Sequence, residues 1–300
     1  MNRTLTYTLS LDEIGIDTTP VSIRDYLKMK GFSKPLLAKI KNTPGCLIHN
    51  GTPGFLSALI HPGDCIQVQI LEESASEHIQ PVEMPLAILF EDEDIVVINK
   101  PANMPIHPSI KNYTNTLANA LAWYYKDESS PFVFRCLNRL DRDTSGLTVI
   151  AKNPLSAAIL SRSMKKGLFS RTYYAGVTGH TPDGGTINAP IAREAESIIT
   201  RQVDFKNGQE AVTHFETISR GNNYSLIKLQ LETGRTHQIR VHMKHIGHPL
   251  PGDFLYHPDT THIKRQALHA KSLSFPHPIT GEMLFFDSEV PDDIIQLLNY

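Results

Sequence analysis

The run Asn138-Arg139-Leu140-Asp141-Arg142-Asp143-Thr144-Ser145-Gly146-Leu147 gathers polar and small residues directly ahead of the apolar stretch Thr148-Val149-Ile150-Ala151. A carboxylate at the mouth of a strand can form a turn, ligate a metal or act as a nucleophile. Turn formation asks least, because short polar side chains satisfy loop backbone groups and glycine tolerates positive φ. The metal reading is more specific. Asp141, Asp143 and Ser145 with Gly146 reproduce the opening spacing of a calcium loop. The twelfth position, where a bidentate glutamate belongs, is Lys152, a cation, and this argues against calcium.

The nucleophile reading draws on three further blocks. The segment resembles the Arg-Leu-Asp signature of the RluA-type pseudouridine synthases, with Asp141 at the catalytic position. Lys100-Pro101-Ala102-Asn103 through His107-Pro108 resembles the family's Lys-Pro block, and Arg171-Thr172-Tyr173-Tyr174-Ala175 its tyrosine block. The run from Leu231 through Thr233-Gly234-Arg235-Thr236-His237-Gln238-Ile239-Arg240 to Gly252-Asp253 resembles its third motif. The four blocks stand in the family's order across residues 86 to 275.

The resemblance implies an isomerisation in which a uridine's bond from ring nitrogen to ribose is cut, the base turns, and a ring carbon is rejoined. Such chemistry requires no redox carrier or phosphate donor, so no cofactor and no metal are expected, and no Gly-x-Gly-x-x-Gly or Walker-type loop is present. The resemblance assigns Asp141 as the essential carboxylate and Arg235 as the cation that orients it and holds its charge. Tyr173 is the residue that stacks on the target base. Adjacent strand residues face opposite ways, so Tyr173 and Tyr174 cannot share that role. A uridine in structured RNA must be flipped from its stack, and Arg139, whose planar guanidinium can stack on bases, is the residue expected to fill the gap.

Arg162, Lys165, Lys166 and Arg171 form a basic cluster suited to phosphates, and His237 and Arg240 join them as expected RNA contacts. Three residues depart from the family pattern: Asn138 where histidine is usual, Asn103 where glycine is usual, and Arg171 where lysine is usual. Asn103 stands where a turn expects glycine, and Asn138 changes the hydrogen bonds that support the loop.

Two other classes remain open on the sequence. His237, His242, His245 and His248 crowd one helix and its exit, as in a metal-dependent hydrolase, although no His-Glu-x-x-His pattern is present. The alternative is a binding protein that keeps the fold and has lost turnover.

Elements that must position these residues follow from periodicity. Three hundred residues with 40% hydrophobic content suffice for a large domain plus a small one. The expected division is a module at 1–72, an acidic linker at 73–85 and a catalytic domain at 86–300. The module should hold a strand over residues 4 to 11, a basic helix pair from Ser22 to Lys41 and two short strands. It resembles the alpha-L RNA-binding module of the same family.

The acids Glu91-Asp92-Glu93-Asp94 suggest a solvated hairpin. Asn153-Pro154 opens a helix that runs to Lys166. Strands outnumber helices without regular alternation. The expected fold is therefore α+β, with a mixed, mostly antiparallel central sheet flanked by helices and loops, as in the pseudouridine synthase fold.

A net charge of -2 gives no general support to RNA binding, so local clusters must carry it. Three cysteines without a Cys-x-x-Cys pair fit a reducing cytoplasm. No apolar run approaches the length of a membrane span. The chain reads as a monomer acting on ribosomal or transfer RNA.

Overall fold

The computed structural model describes residues 1–10, 21–76, 79–110 and 112–300. The N-terminal alternation forms β1 (Arg3–Thr8); Leu11, the last residue of the expected strand, lies outside the described residues. Helices α1 (Ile23–Met29) and α2 (Lys34–Asn42) start at Ser22 and Ser33, whose side chains accept the amides of Asp25 and Leu36. Strands β2 (Leu47–His49), β3 (Thr52–Pro53) and β4 (Cys65–Ile70) complete an antiparallel sheet in the order β1-β4-β2-β3. Ile23, Leu27, Leu37, Ile66 and Val68 close its core.

This unit is seated firmly on the rest of the chain. Leu155 and Ile159 complete its core from outside. Arg3 donates to both oxygens of Asp94 at 3.2 and 3.1 Å. The amino terminus donates to the Lys152 carbonyl at 2.8 Å, and Arg135 pairs with Glu72 at 2.5 Å.

Two acidic stretches are placed differently from expectation. The described part of 73–85 is a bound strap along α3 (Leu117–Tyr124). The Val82 amide donates to Asn119, Asn119 Nδ2 donates to the Gln80 carbonyl, and Ile79 and Met84 pack against the cluster around Leu117. Two apolar side chains and paired backbone suffice to anchor it; Glu77 lies outside the described residues. The hairpin between β5 (Ile88–Glu91) and β6 (Ile95–Lys100) is only partly solvated: Glu93 is exposed, but its neighbours are not free in water. Asp94 is buried and accepts from Arg3, Asn153 and Ser156, while Glu91 accepts from Tyr124, Tyr125 and Lys152. Ionised carboxylates go inside when enough donors converge on them.

Among the described residues the main sheet has nine strands. After β6 come β7 (Ser145–Ala151), α4 (Pro154–Lys165), β8 (Ser170–Thr178) and β9 (Gly184–Asn188). A separate two-stranded ribbon, β10 (Ile191–Arg193) and β11 (Arg201–Val203), precedes β12 (Val212–Arg220) and β13 (Tyr224–Leu231). Then follow α5 (Gln238–His245), β14 (Leu268–Pro276), β15 (Met283–Asp287) and the short α6 (Asp292–Ile295). The order is β5-β6-β7-β14-β8-β13-β12-β9, with β15 beside the far end of β14. Every neighbouring pair in this order is antiparallel except β7 with β14, so the α+β, mostly antiparallel expectation holds. One face carries α5 over Tyr173, Ala175, Ile227 and Leu229; the other carries α6 over Tyr224, Leu226 and Ala267.

The β7–β14 seam is closely packed. Gly146 pairs with Ala270 at φ +109°, and a Cβ there would lie 2.6 Å from the Ala270 amide nitrogen and closer still to its carbonyl oxygen. One residue earlier, Ser145 Oγ meets His269 Nδ1 at 2.9 Å, and His269 Nε2 meets Ser288 Oγ at 2.9 Å. Burial, reinforced by Arg265 and Lys271, pushes His269 down to about 4.

Two outcomes are expected. Gly146→Ala should destabilise by about 3 kcal/mol or more, combining positive-φ strain with overpacking against backbone; urea unfolding within 0.5 kcal/mol of wild type would contradict the tight seam. His269, neutral when folded, gains a proton on unfolding between about 6.5 and about 4. Its contribution is thus complete above about pH 6.5 and drains as pH falls toward 4, by up to about 1.4 kcal/mol per unit. His269→Gln should flatten the stability–pH curve in that window, and identical curves would exclude the assignment.

Candidate active site

Asp141 lies in the turn that feeds β7, and four anchors fix that turn. Asn138 stays buried, donating from Nδ2 to the Leu147 carbonyl and accepting the Val149 amide at Oδ1, both at 2.9 Å. The departure from histidine therefore leaves the loop supported. Lys100, wholly buried, donates from Nζ to the carbonyls of Pro101, Met104 and Arg142 at 2.8, 2.9 and 3.1 Å. These use all three donors of the ammonium. Burial lowers its pKa to about 7, with Asp143 and Asp141 pulling the other way. Asn103 takes φ +59°, the left-handed conformation that asparagine tolerates best after glycine, and the next amide, Met104, reaches the Arg142 carbonyl. Gln266 Nε2 holds Thr144 Oγ1 at 2.6 Å.

The cation beside Asp141 is Arg240, not Arg235. Arg240 Nη1 donates to Asp141 Oδ2 at 2.7 Å, while its Nε and Nη2 grip Asp253 at 2.7 and 2.8 Å. Asp253 is fully buried and also accepts the Leu255 and Tyr256 amides. Burial works against the Arg240 charge, but the two carboxylates more than offset it and raise its pKa.

Helix α5 begins only at Gln238, so Arg240 stands in its first turn and faces inward. Arg235 stands in the loop before it, donating from Nε to the Glu210 carbonyl. The signal that could have separated them is Asp253, an aspartate in an otherwise apolar turn that needs a buried partner. Arg240, expected as an RNA contact, is buried, and its guanidinium is taken up by Asp141 and Asp253.

His237, at φ +59°, meets Tyr256 OH through Nδ1 at 2.9 Å and has Nε2 3.9 Å from Asp141 Oδ1. Burial lowers its pKa, opposed by Asp141. Tyr173 lines the same cleft from β8, whereas Tyr174 turns to the α6 side. Burial keeps the Tyr173 phenol protonated, against the pull of Arg171, which suits a ring that stacks. The cleft, about 670 Å³, is also lined by Arg139, Lys165, Arg171, Arg201 and Arg235, a size proper to a small ligand site. Arg162 instead donates to the Gly31 carbonyl at 3.3 Å and ties α4 to the N-terminal unit, and Lys166 is an exposed cap of α4.

The histidine cluster has other work. His242 engages Thr213 and the Ala189 carbonyl through its two nitrogens, and His248 binds the Thr178 carbonyl. Among the described residues, the trio with metal-like spacing is Asp92, Asp94 and His277, away from these histidines.

Fold and site together present one loop aspartate, held by a buried arginine, at a cleft lined with basic residues. A family model described as RNA pseudouridylate synthase matches residues 94–245. A Bacillus subtilis protein named uncharacterized RNA pseudouridine synthase YjbO is 41% identical over 279 residues, 93% of this chain and 98% of its own length. Ribosomal large subunit pseudouridine synthase D of Zymomonas mobilis is 42% identical over 277 residues, covering 86% of this chain and 84% of its own. The structure of human RNA pseudouridylate synthase domain containing 1 superimposes with a TM-score of 0.58 at 27% identity, over 72% of this chain and 86% of that one. The chain belongs to the RNA pseudouridine synthase family, in its RluA-type branch. It is an isomerase acting on RNA.

Removing one partner of a buried ion pair leaves an uncompensated charge, at about 3–5 kcal/mol. Arg240→Gln should lower stability by that order, and Arg240→Lys, which cannot bridge both carboxylates, should fold yet lose most turnover. Arg235→Gln should unfold like wild type. Equal stability losses at 235 and 240 would refute the placement.

Proposed function

We propose that the chain converts uridine to pseudouridine in large-subunit ribosomal RNA, with Asp141 as the essential carboxylate. The observation that carries the residue assignment is the Arg240–Asp141 bond, made by a guanidinium that Asp253 already immobilises. Such an arginine presents the carboxylate in one orientation before substrate arrives, the positioning on which catalysis depends. The ribosomal substrate rests on the names of relatives such as those of Zymomonas mobilis and Haemophilus influenzae.

The target uridine leaves its stack and enters the cleft, and exposed Arg139 takes the place it vacates. Tyr173 lies against the base. The bond from ring nitrogen N1 to ribose C1′ breaks, the base turns, and C5 joins C1′. C5 loses a proton and N1 regains one, so atoms balance. Lys165 and Arg171 meet backbone phosphates at the cleft wall. A ribosomal substrate places the enzyme's work in the cytoplasm, where we propose that it acts as a monomer; among the described residues no helix is long and apolar enough to cross a membrane.

Tritium release from ribosomal RNA labelled at uridine C5, with chelator present, tests this reading. Asp141→Asn should cut release by on the order of 10⁴ and leave RNA affinity within about threefold, since one carboxylate among many phosphate contacts carries little of it. Undiminished release from the variant would remove Asp141 from the chemistry.

A further inference from the structure

Beside the Asp141 cleft, a second concavity of about 440 Å³ is bounded by Arg139, Arg193, Arg201 and Arg235, with Asn207 and Gln209. No carboxylate is among its described lining residues. Two of the arginines come from the β10–β11 ribbon, where Arg193 and Arg201 are direct cross-strand partners. Such partners point to one face, and like charges directly opposite destabilise a strand pair. A fold keeps that arrangement at a net cost unless an anion joins it.

The arginines are also prepared for one. Arg201 Nη1 is held by the carbonyls of Ile199 and Thr200, both at 2.9 Å, leaving its other nitrogens available. Arg235 is pinned through Nε alone. The Arg193 side chain has no hydrogen-bond or ion-pair partner among the described residues. The ribbon is coupled to the catalytic loop as well: the Arg201 amide donates to Tyr256 OH at 2.8 Å, and that hydroxyl meets His237, which faces Asp141. Arg139, Arg201 and Arg235 line both concavities.

We propose that the β10–β11 ribbon holds a second RNA site, in which Arg193 and Arg201, with Arg139 and Arg235, take the backbone phosphates of nucleotides flanking the target uridine. The site rests on the function proposed above and adds to it the element that grips the strand beyond the flipped base. Guanidinium forks match phosphate oxygens two at a time. Guanidinium groups on a short ribbon follow the strand's backbone rather than its bases, so they set register.

The test is binding of the intact protein to unlabelled total ribosomal RNA as a function of salt, beside C5 tritium release. Arg193→Gln should weaken affinity roughly tenfold and reduce the slope of log K against log salt by about 0.7–0.9. Arg193→Lys should restore the slope while recovering only part of the affinity. Adding Arg201→Gln should reduce the slope by a similar further step. Wild-type slope and affinity in Arg193→Gln, with an unchanged melting temperature, would overturn the second site. The Asp141→Asn arm reports separately on the function itself: a variant that still releases tritium rejects that reading whatever the salt slopes show.

Discussion

One guanidinium between two carboxylates sets the terms for the rest of the molecule. Arg240 is almost wholly buried, and in a medium of low polarity its charge persists only because Asp253 and Asp141 lie against it. Asp253 is wholly enclosed and serves as the fixed counter-charge, whereas Asp141 keeps 29% of its side chain open to the cleft. Two negatives around one positive leave an excess of negative charge, and the geometry puts that excess on the carboxylate a substrate can reach. Helix α5 therefore both packs on the sheet and mounts this arginine.

The opposite side of Asp141 must be as rigid as the arginine, or the short bond would be averaged away. Lys100 supplies that rigidity with three carbonyl contacts in a buried setting, and Asn138 ties the turn to the strand it feeds. The seam between β7 and β14 then fixes where that strand can lie. Parallel pairing there brings the loop before β7 and the residues before β14 to the same edge, so Gln266 and Asp141's turn meet although 122 residues separate the hydrogen-bonded pair.

The sequence announced the chemistry more clearly than the architecture. Asp141, Tyr173 and Arg139, singled out from local blocks, line one cleft, and the helix starts expected at Ser22 and Asn153 are the ones the chain adopts. Arg235 and Arg240 were not separable by pattern alone, because the choice depends on where α5 begins and on a partner thirteen residues later. The acidic stretches misled for a related reason. Exposure was inferred from charge, but Asp94 and Glu91 are enclosed by donors from distant strands and helices that no local window contains. The β10–β11 ribbon went unread because three-residue strands carry too little periodicity to register.

The seating of the N-terminal unit has a different kind of consequence. Arg3, the chain's own amino terminus and the Leu155–Ile159 stretch bolt it to α4 and the β5–β6 turn at several separate points. Lys28, Lys34 and Lys41 line a concavity on that unit, and these contacts set the spacing between those lysines and Asp141. Any ligand long enough to reach from one to the other would meet a preset span rather than an adjustable one.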